Sequence, residues 1–114
     1  HRGDGVTEAR ARAIVRDRSG GRCELCPAPG SEWSHRIARS RGGLWAPSNG
    51  LWLCGICHRK CHAAPDTARA NGWHLPTGTD PLDAPALIHP GHLWGDWWRL
   101  DDEGLYIPCE VIAA

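Results

Sequence analysis

Two Cys-x2-Cys pairs, Cys23/Cys26 and Cys54/Cys57, constrain this chain more than any other feature. Each pair lets two thiolates reach one ion from a tight turn, and two pairs together complete a closed tetrahedral structural zinc site. The 27 residues between the pairs exceed the roughly 15–20 of a plain zinc ribbon. A sizeable segment is therefore inserted between the knuckles, and it is expected to carry the chemistry. A mixed set of Cys23/Cys26 with His58/His62 is set aside, because its central gap of 31 residues is too long. Cys61, four residues beyond Cys57 on the same helical face, is an alternative to Cys57 as fourth ligand. Cys109 reads as a small buried apolar residue.

A staple matters because the chain has little else with which to build a core. Its 114 residues suffice for one domain and not for two. There is no Phe, no Met and one Tyr, so aromatic burial falls almost wholly to seven Trp, each needing a partner for its indole N–H. Gly and Pro make up about a fifth of the chain, which predicts a loop-rich fold. The missing methionine is read as the mark of a processed or trimmed chain. No run of about 18 apolar residues is present and no signal-peptide pattern opens the sequence, so the expectation is a cytoplasmic protein without a membrane span. In a reducing compartment six cysteines argue for metal. The alternative, a secreted disulfide protein stripped of its signal, is disfavoured by the paired spacing.

The formal net charge is zero, which taken alone disfavours a nucleic-acid partner. The distribution argues otherwise. Residues 1–60 hold eleven Arg and Lys against five acids, whereas residues 61–114 hold two against eight. One half is thus suited to a polyanion. Twelve of the thirteen basic residues are Arg, which suits bidentate phosphate contacts.

Thr7 is a fitting cap for a helix from about Glu8 to Arg18, with Ala9, Ala13 and Ile14 inward and Gly20-Gly21 as the stop. Residues 32–37 read as a short strand ending near His35, residues 38–50 as a loop, and Leu51 to Leu53 as a second strand. A helix is expected over 55–63, and Pro65 opens a further helical piece that ends at Gly72. Trp94 to Leu100 and Leu105 to Pro108 flank Asp102-Glu103-Gly104, which predicts a hairpin. The whole reads as one domain, with a core over 22–63 and an accessory region over 64–114.

Between and just after the knuckles lie His35, Asn49, His58 and His62. A lone histidine is more often structural than catalytic, but these stand in an order. A strand-end histidine is followed by an Arg/Gly loop, an Asn before the second strand, and a histidine directly after the last zinc cysteine. Zinc fixes the start of that helix and so holds His58, while the glycines let Asn49 return towards His35. In this arrangement residues 22–63 resemble the His-Asn-His (HNH) endonucleases, a branch of the ββα-metal nucleases. The resemblance is carried by Cys23-Glu24-Leu25-Cys26, Ser34-His35-Arg36-Ile37, Arg41-Gly42-Gly43, Ser48-Asn49-Gly50-Leu51 and Leu53-Cys54-Gly55-Ile56-Cys57-His58. Residues 68–73, Thr79-Asp80-Pro81 and residues 100–104 are similar to the tail of small zinc-stapled HNH proteins of actinobacterial phages.

The resemblance implies a small α+β fold with a ββα-metal (His-Me finger) core, a four-cysteine zinc knuckle pair, an N-terminal helix and a C-terminal β-hairpin region. It implies a metal-dependent DNA endonuclease of low intrinsic sequence specificity, serving phage DNA processing or packaging with a terminase partner in a bacterial or phage-infected host cell. His35, with an ordinary pKa of ~6.5, would take a proton from the water that attacks phosphorus. Asn49 would orient the His35 imidazole or its loop, and His58 would bind a divalent ion that stabilises the leaving 3′-oxygen. Arg36, Arg39, Arg41, Arg59 and Lys60 are the expected DNA contacts. One departure stands out: many family members carry Asp or His where Ser34 precedes His35. Ser34 holding the ion through water, His62 supplying the missing ligand, or weak activity would each account for it. A nitrogen-rich site would favour Mn²⁺, Ni²⁺, Co²⁺ or Zn²⁺ over Mg²⁺. The alternative is a degenerate, non-catalytic zinc-stabilised module that binds nucleic acid. His74, His89 and His92 read as surface or packing residues, and Trp94, Trp97 and Trp98 as core, with base stacking as the functional alternative.

Overall fold

The computed structural model describes residues 5–90 and 95–109. Thr7 stands in extended backbone, and its Oγ1 accepts from the Arg10 N–H at 3.2 Å, capping α1 (Glu8–Ser19). Gly20, at φ 65°, ends the helix, and the N–H groups of Gly20 and Gly21 close on the carbonyls of Asp17 and Arg16. The buried stripe of α1 is Ala11, Val15 and Ser19. This corrects the expected inward set, since Ala9 is exposed and Ala13 and Ile14 are half-buried. The helix leans on two tryptophans, and small side chains at four-residue spacing let it approach them.

Those tryptophans belong to a two-stranded antiparallel hairpin, β1 (Glu32–His35) and β2 (Gly50–Leu53), in the register Trp33 opposite Trp52 and His35 opposite Gly50. Alternation along the strands divides the interior in two. Trp33 and Trp52 pack with Ala11 and Val15, with Trp45 at the margin. Leu51 and Leu53 point the other way, into a cluster with Cys23, Cys61, Ala68, Ala86, Ile88 and Leu100. The loop between the strands holds two 3₁₀ turns, Arg39–Arg41 and Pro47–Asn49. Gly50 must be glycine, because a Cβ there would collide with the Trp33 ring.

After β2 the chain forms α2 (Gly55–Ala63) and, beyond Ala64, α3 (Pro65–Ala70). A second antiparallel sheet follows, in the order β3 (Ala86–Ile88), β4 (Asp96–Leu100), β5 (Tyr106–Pro108). The hairpin about the Asp101–Gly104 turn agrees with the sequence, its strands starting at Asp96 and Tyr106 rather than at Trp94 and Leu105; Trp94 lies outside the described residues. Strand β3 has no counterpart among the sequence expectations. A strand of three residues, set between Pro85 and Pro90, is too short to display an alternation.

A buried ion pair ties the two sheets to α1. Arg18 donates to both carboxylate oxygens of Glu24 at 3.0 and 2.7 Å, and to the carbonyls of Pro47 and Gly50. Glu24 also accepts from the Trp52 N–H and from the Tyr106 hydroxyl on β5 at 2.6 Å. Burial by itself would lower the Arg18 pKa, but the facing Glu24 carboxylate, together with Tyr106, more than offsets it and the net direction is up. Among the described residues, no helix is long and apolar enough to cross a membrane.

Candidate functional site

The Sγ atoms of Cys23, Cys26, Cys54 and Cys57 all lie within 4.8 Å of one another. Four thiolates at metal–sulfur distances of about 2.3 Å in a tetrahedron stand about 3.8 Å apart, and Cys26 Sγ and Cys54 Sγ are separated by 3.7 Å. Backbone N–H groups already point at the sulfurs: Leu25 donates to Cys23 and Cys57 to Cys54, each at 3.4 Å. The group therefore suits a structural metal ion. The Cys57 amide brings the Cys54 thiol down to about 7, whereas burial raises Cys23 and Cys57. Cys61 is the outsider. It is buried in the apolar cluster beside Leu51 and Ala68, and burial pushes its thiol up to about 11. Cys57, not Cys61, thus completes the set.

The cysteine cluster sets the position of α2, because Cys54 is both a member of it and the N-cap of the helix. One turn on, His58 presents a half-buried imidazole whose Nδ1 lies 2.8 Å from Glu32 Oε1 on β1. A carboxylate at Nδ1 holds the proton there and leaves the lone pair at Nε2. His62 follows on the same face, its ring centre 5.2 Å from that of His58. The ring of His74, from the segment after α3, stands 5.2 Å from that of His62.

These three histidines share an open cleft of about 500 Å³ with Trp33, His35, Arg39, Arg41, Arg69 and Pro76 among its lining residues. No carboxylate lines this cleft among the described residues. His35 sits at the end of β1, its ring edge-on to Trp45 at 4.5 Å. Its Nδ1 accepts from the Trp33 indole N–H at 2.8 Å, while its Nε2 is buried without a partner among the described residues. Burial, then Arg39 and Arg12, lowers its pKa from the usual 6.5. Arg12 and Arg39 both lie over the Trp45 ring, at 5.2 and 5.8 Å from its centre.

Asn49 is 1% exposed and is spent entirely on backbone. Its Oδ1 accepts from the Ile37 N–H at 2.8 Å, and its Nδ2 donates to the Ile37 and Leu44 carbonyls at 3.1 Å. Of the two roles open to it, bracing the loop after His35 is the one its contacts support; it makes no hydrogen bond to the imidazole.

The arginines divide. Arg39 and Arg41 are exposed and face the cleft, as expected. Arg36 is not free to meet a phosphate. The residue is 1% exposed, and its guanidinium donates to the carbonyls of Ser48, Gly72, Pro81, Ala84 and Pro85 at 2.7–3.3 Å. Burial lowers its pKa to about 9, so it stays charged at neutral pH, neutralised by carbonyl dipoles. Arg59 and Lys60 are exposed on α2 and do not line the cleft, and Ser34 is buried and absent from its walls. Trp98 packs at the edge of the larger cluster while Trp97 is 40% exposed. His92, like Trp94, lies outside the described residues.

Sequence reasoning passed over Glu32, Arg69 and His74. Glu32 had a signal, an acid three residues before the strand-end histidine and so on the opposite face of β1. For His74 there was none, because only the turn after α3 brings it back to α2. The chain matches no protein-family model, no curated protein and no solved structure.

Proposed function

We propose that this chain is a metal-dependent phosphodiesterase of nucleic acid, a DNA endonuclease of the HNH type with β1, β2 and α2 as its ββα-metal core. The observation that carries the reading is a single open cleft in which His35 and His58 meet three exposed arginines and, among the described residues, no carboxylate. Such a surface draws a phosphate backbone in and holds a neutral imidazole beside it. Zinc is the ion proposed for the four cysteines, since thiolate-only tetrahedral sets favour it. A phage packaging partner and a cytoplasmic setting belong to this reading through the family resemblance alone.

His58, held at Nδ1 by Glu32, offers Nε2 to a divalent ion, with His62 as its neighbour. When bound, that ion supplies charge stabilisation for the phosphate and the departing 3′-oxygen. The protein's own part is proton movement and positioning. Depression of its pKa keeps His35 neutral at pH 7, as a base must be. A base also needs a free lone pair, so entry of substrate and water has to break the Trp33–His35 bond. Arg39, Arg41 and Arg69 grip phosphates without reading bases.

The enclosed state of His35 favours the second reading, a zinc-stabilised module that binds nucleic acid without cutting it. One experiment separates the two. Supercoiled plasmid and single-stranded RNA are incubated with the protein and Mg²⁺, Mn²⁺ or Ni²⁺, with EDTA and His35→Ala as controls. Metal-dependent nicking that His35→Ala lowers at least about a hundredfold is expected. Plasmid that is retarded but uncut in every metal establishes the binding module instead, and RNA cleavage alone would replace DNA as the substrate.

A further inference from the structure

We infer that His74 completes a three-histidine transition-metal site with His58 and His62, taking the place that Ser34 leaves unfilled. This deepens the nuclease reading and rests on it for the site's use, though not for its existence. With metal–nitrogen bonds of about 2.1 Å at tetrahedral angles, imidazole rings on one ion have centres about 5 Å apart. The His58–His62 and His62–His74 ring centres stand at 5.2 Å, so His62 is the link between two rings that make no ring contact with each other. Three imidazole rings gathered in one cleft, with no carboxylate among its walls in the described residues, suit a borderline-soft cation better than Mg²⁺.

Two further features fit a ligand role. Glu32 occupies Nδ1 of His58, the second-sphere arrangement by which a ligand histidine is turned and its basicity raised. The His74 ring stands against that of His62. His62 is exposed on α2; the ring nitrogens of the three histidines do not all lie within 4.8 Å of one another, so an ion would have to draw the rings together by side-chain rotation. Arg39, Arg41 and Arg69 stand around the same space. An ion held by three neutral ligands keeps its double charge, and the fourth position suits an anionic oxygen such as that of a phosphate.

The test uses the full chain with its cysteines loaded with Zn²⁺. Co²⁺ alone is titrated in, followed by calorimetry and by visible absorption, which distinguishes nitrogen-bound cobalt from cobalt exchanged onto sulfur. The expected result is one further equivalent of Co²⁺ without thiolate-to-metal bands. His74→Gln and His62→Ala should each weaken it at least about tenfold, and Ser34→Ala should not. His62 is exposed, so its variant keeps the test open should the His74 variant fold poorly. No second equivalent in the wild type, or Co²⁺ binding indifferent to both His62 and His74, overturns the site. Plasmid cleavage in Mn²⁺ or Ni²⁺ that survives His74→Gln unchanged would overturn the site's use in cutting while leaving the nuclease reading intact. Conversely, a Co²⁺ site that depends on His74, in a protein that cuts nothing, would refute only the nuclease reading.

Discussion

His35 shows how an ordinary residue acquires its character from its neighbours. Its ring lies between Trp33 and Trp45, with Arg39 and Arg12 nearby, and all but a distant Glu8 oppose protonation. The folded state therefore binds a proton less readily than the unfolded chain. The sign is fixed by linkage. The contribution to stability is fully present above pH 6.5 and is lost as pH falls from there through the lowered folded value. Thermal melts of the wild type and His35→Gln should differ by a constant amount above pH 7, and the wild type should lose ground as the pH drops below 6.5. Parallel curves at all pH values would refute this. The same depression predicts that any cleavage activity keeps its plateau to below pH 6.5 before falling with acid, measurable as a pH–rate profile.

Among the elements, the loop between β1 and β2 is the one whose shape is least self-sustaining. Its backbone N–H and C=O groups have no strand partner, and Asn49 supplies three bonds from a single buried amide. Asn49→Ala leaves the Ile37 N–H and the Ile37 and Leu44 carbonyls without that partner, at a cost of about 2–4 kcal/mol. Denaturant titration should show that loss, and hydrogen exchange should show residues 37–44 opening ahead of β2. Asn49→Asp should keep the Ile37 N–H bond and lose the two donated ones. The loop's existence was legible in its glycines, and Asn49 stood out as a residue that returns towards His35. That it grips backbone rather than the imidazole was not legible, since an amide can do either. The α2 boundaries, by contrast, were readable to the residue, because a cysteine cap and a run ending at Ala64-Pro65 are local signals.

Taken whole, the molecule is two thin apolar clusters on the faces of one hairpin, joined by polar keystones. Trp52 and Trp98 even leave their indole N–H groups without a partner among the described residues, which argues that apolar burial here came at some polar cost. In such a chain a metal at the four cysteines is expected to contribute on the order of the entire folding free energy, since structural zinc sites supply about 10–16 kcal/mol and small domains rest on about 5–15. Stripping the metal with a strong chelator should abolish the near-ultraviolet circular dichroism of the tryptophans, and adding Zn²⁺ back should restore it. Retention of the full tryptophan signal in metal-free protein would show that Arg18–Glu24 and Arg36 suffice without it.

Spacing and residue type alone disclosed the knuckles, the helix caps, both strands of the first hairpin and the order His35, Asn49, His58, because each is written in residues a few places apart. The fate of a charged side chain is not written that way. Arg36 and Arg39 are equivalent in sequence, yet carbonyls from residues 48, 72, 81, 84 and 85 enclose the first and leave the second exposed. Glu32 meeting His58, and His74 meeting His62, likewise depend on segments 12 to 26 residues apart arriving at one place. Local patterns follow from local sterics and capping, whereas burial, and with it charge and ligation, is a property of what the rest of the chain packs around.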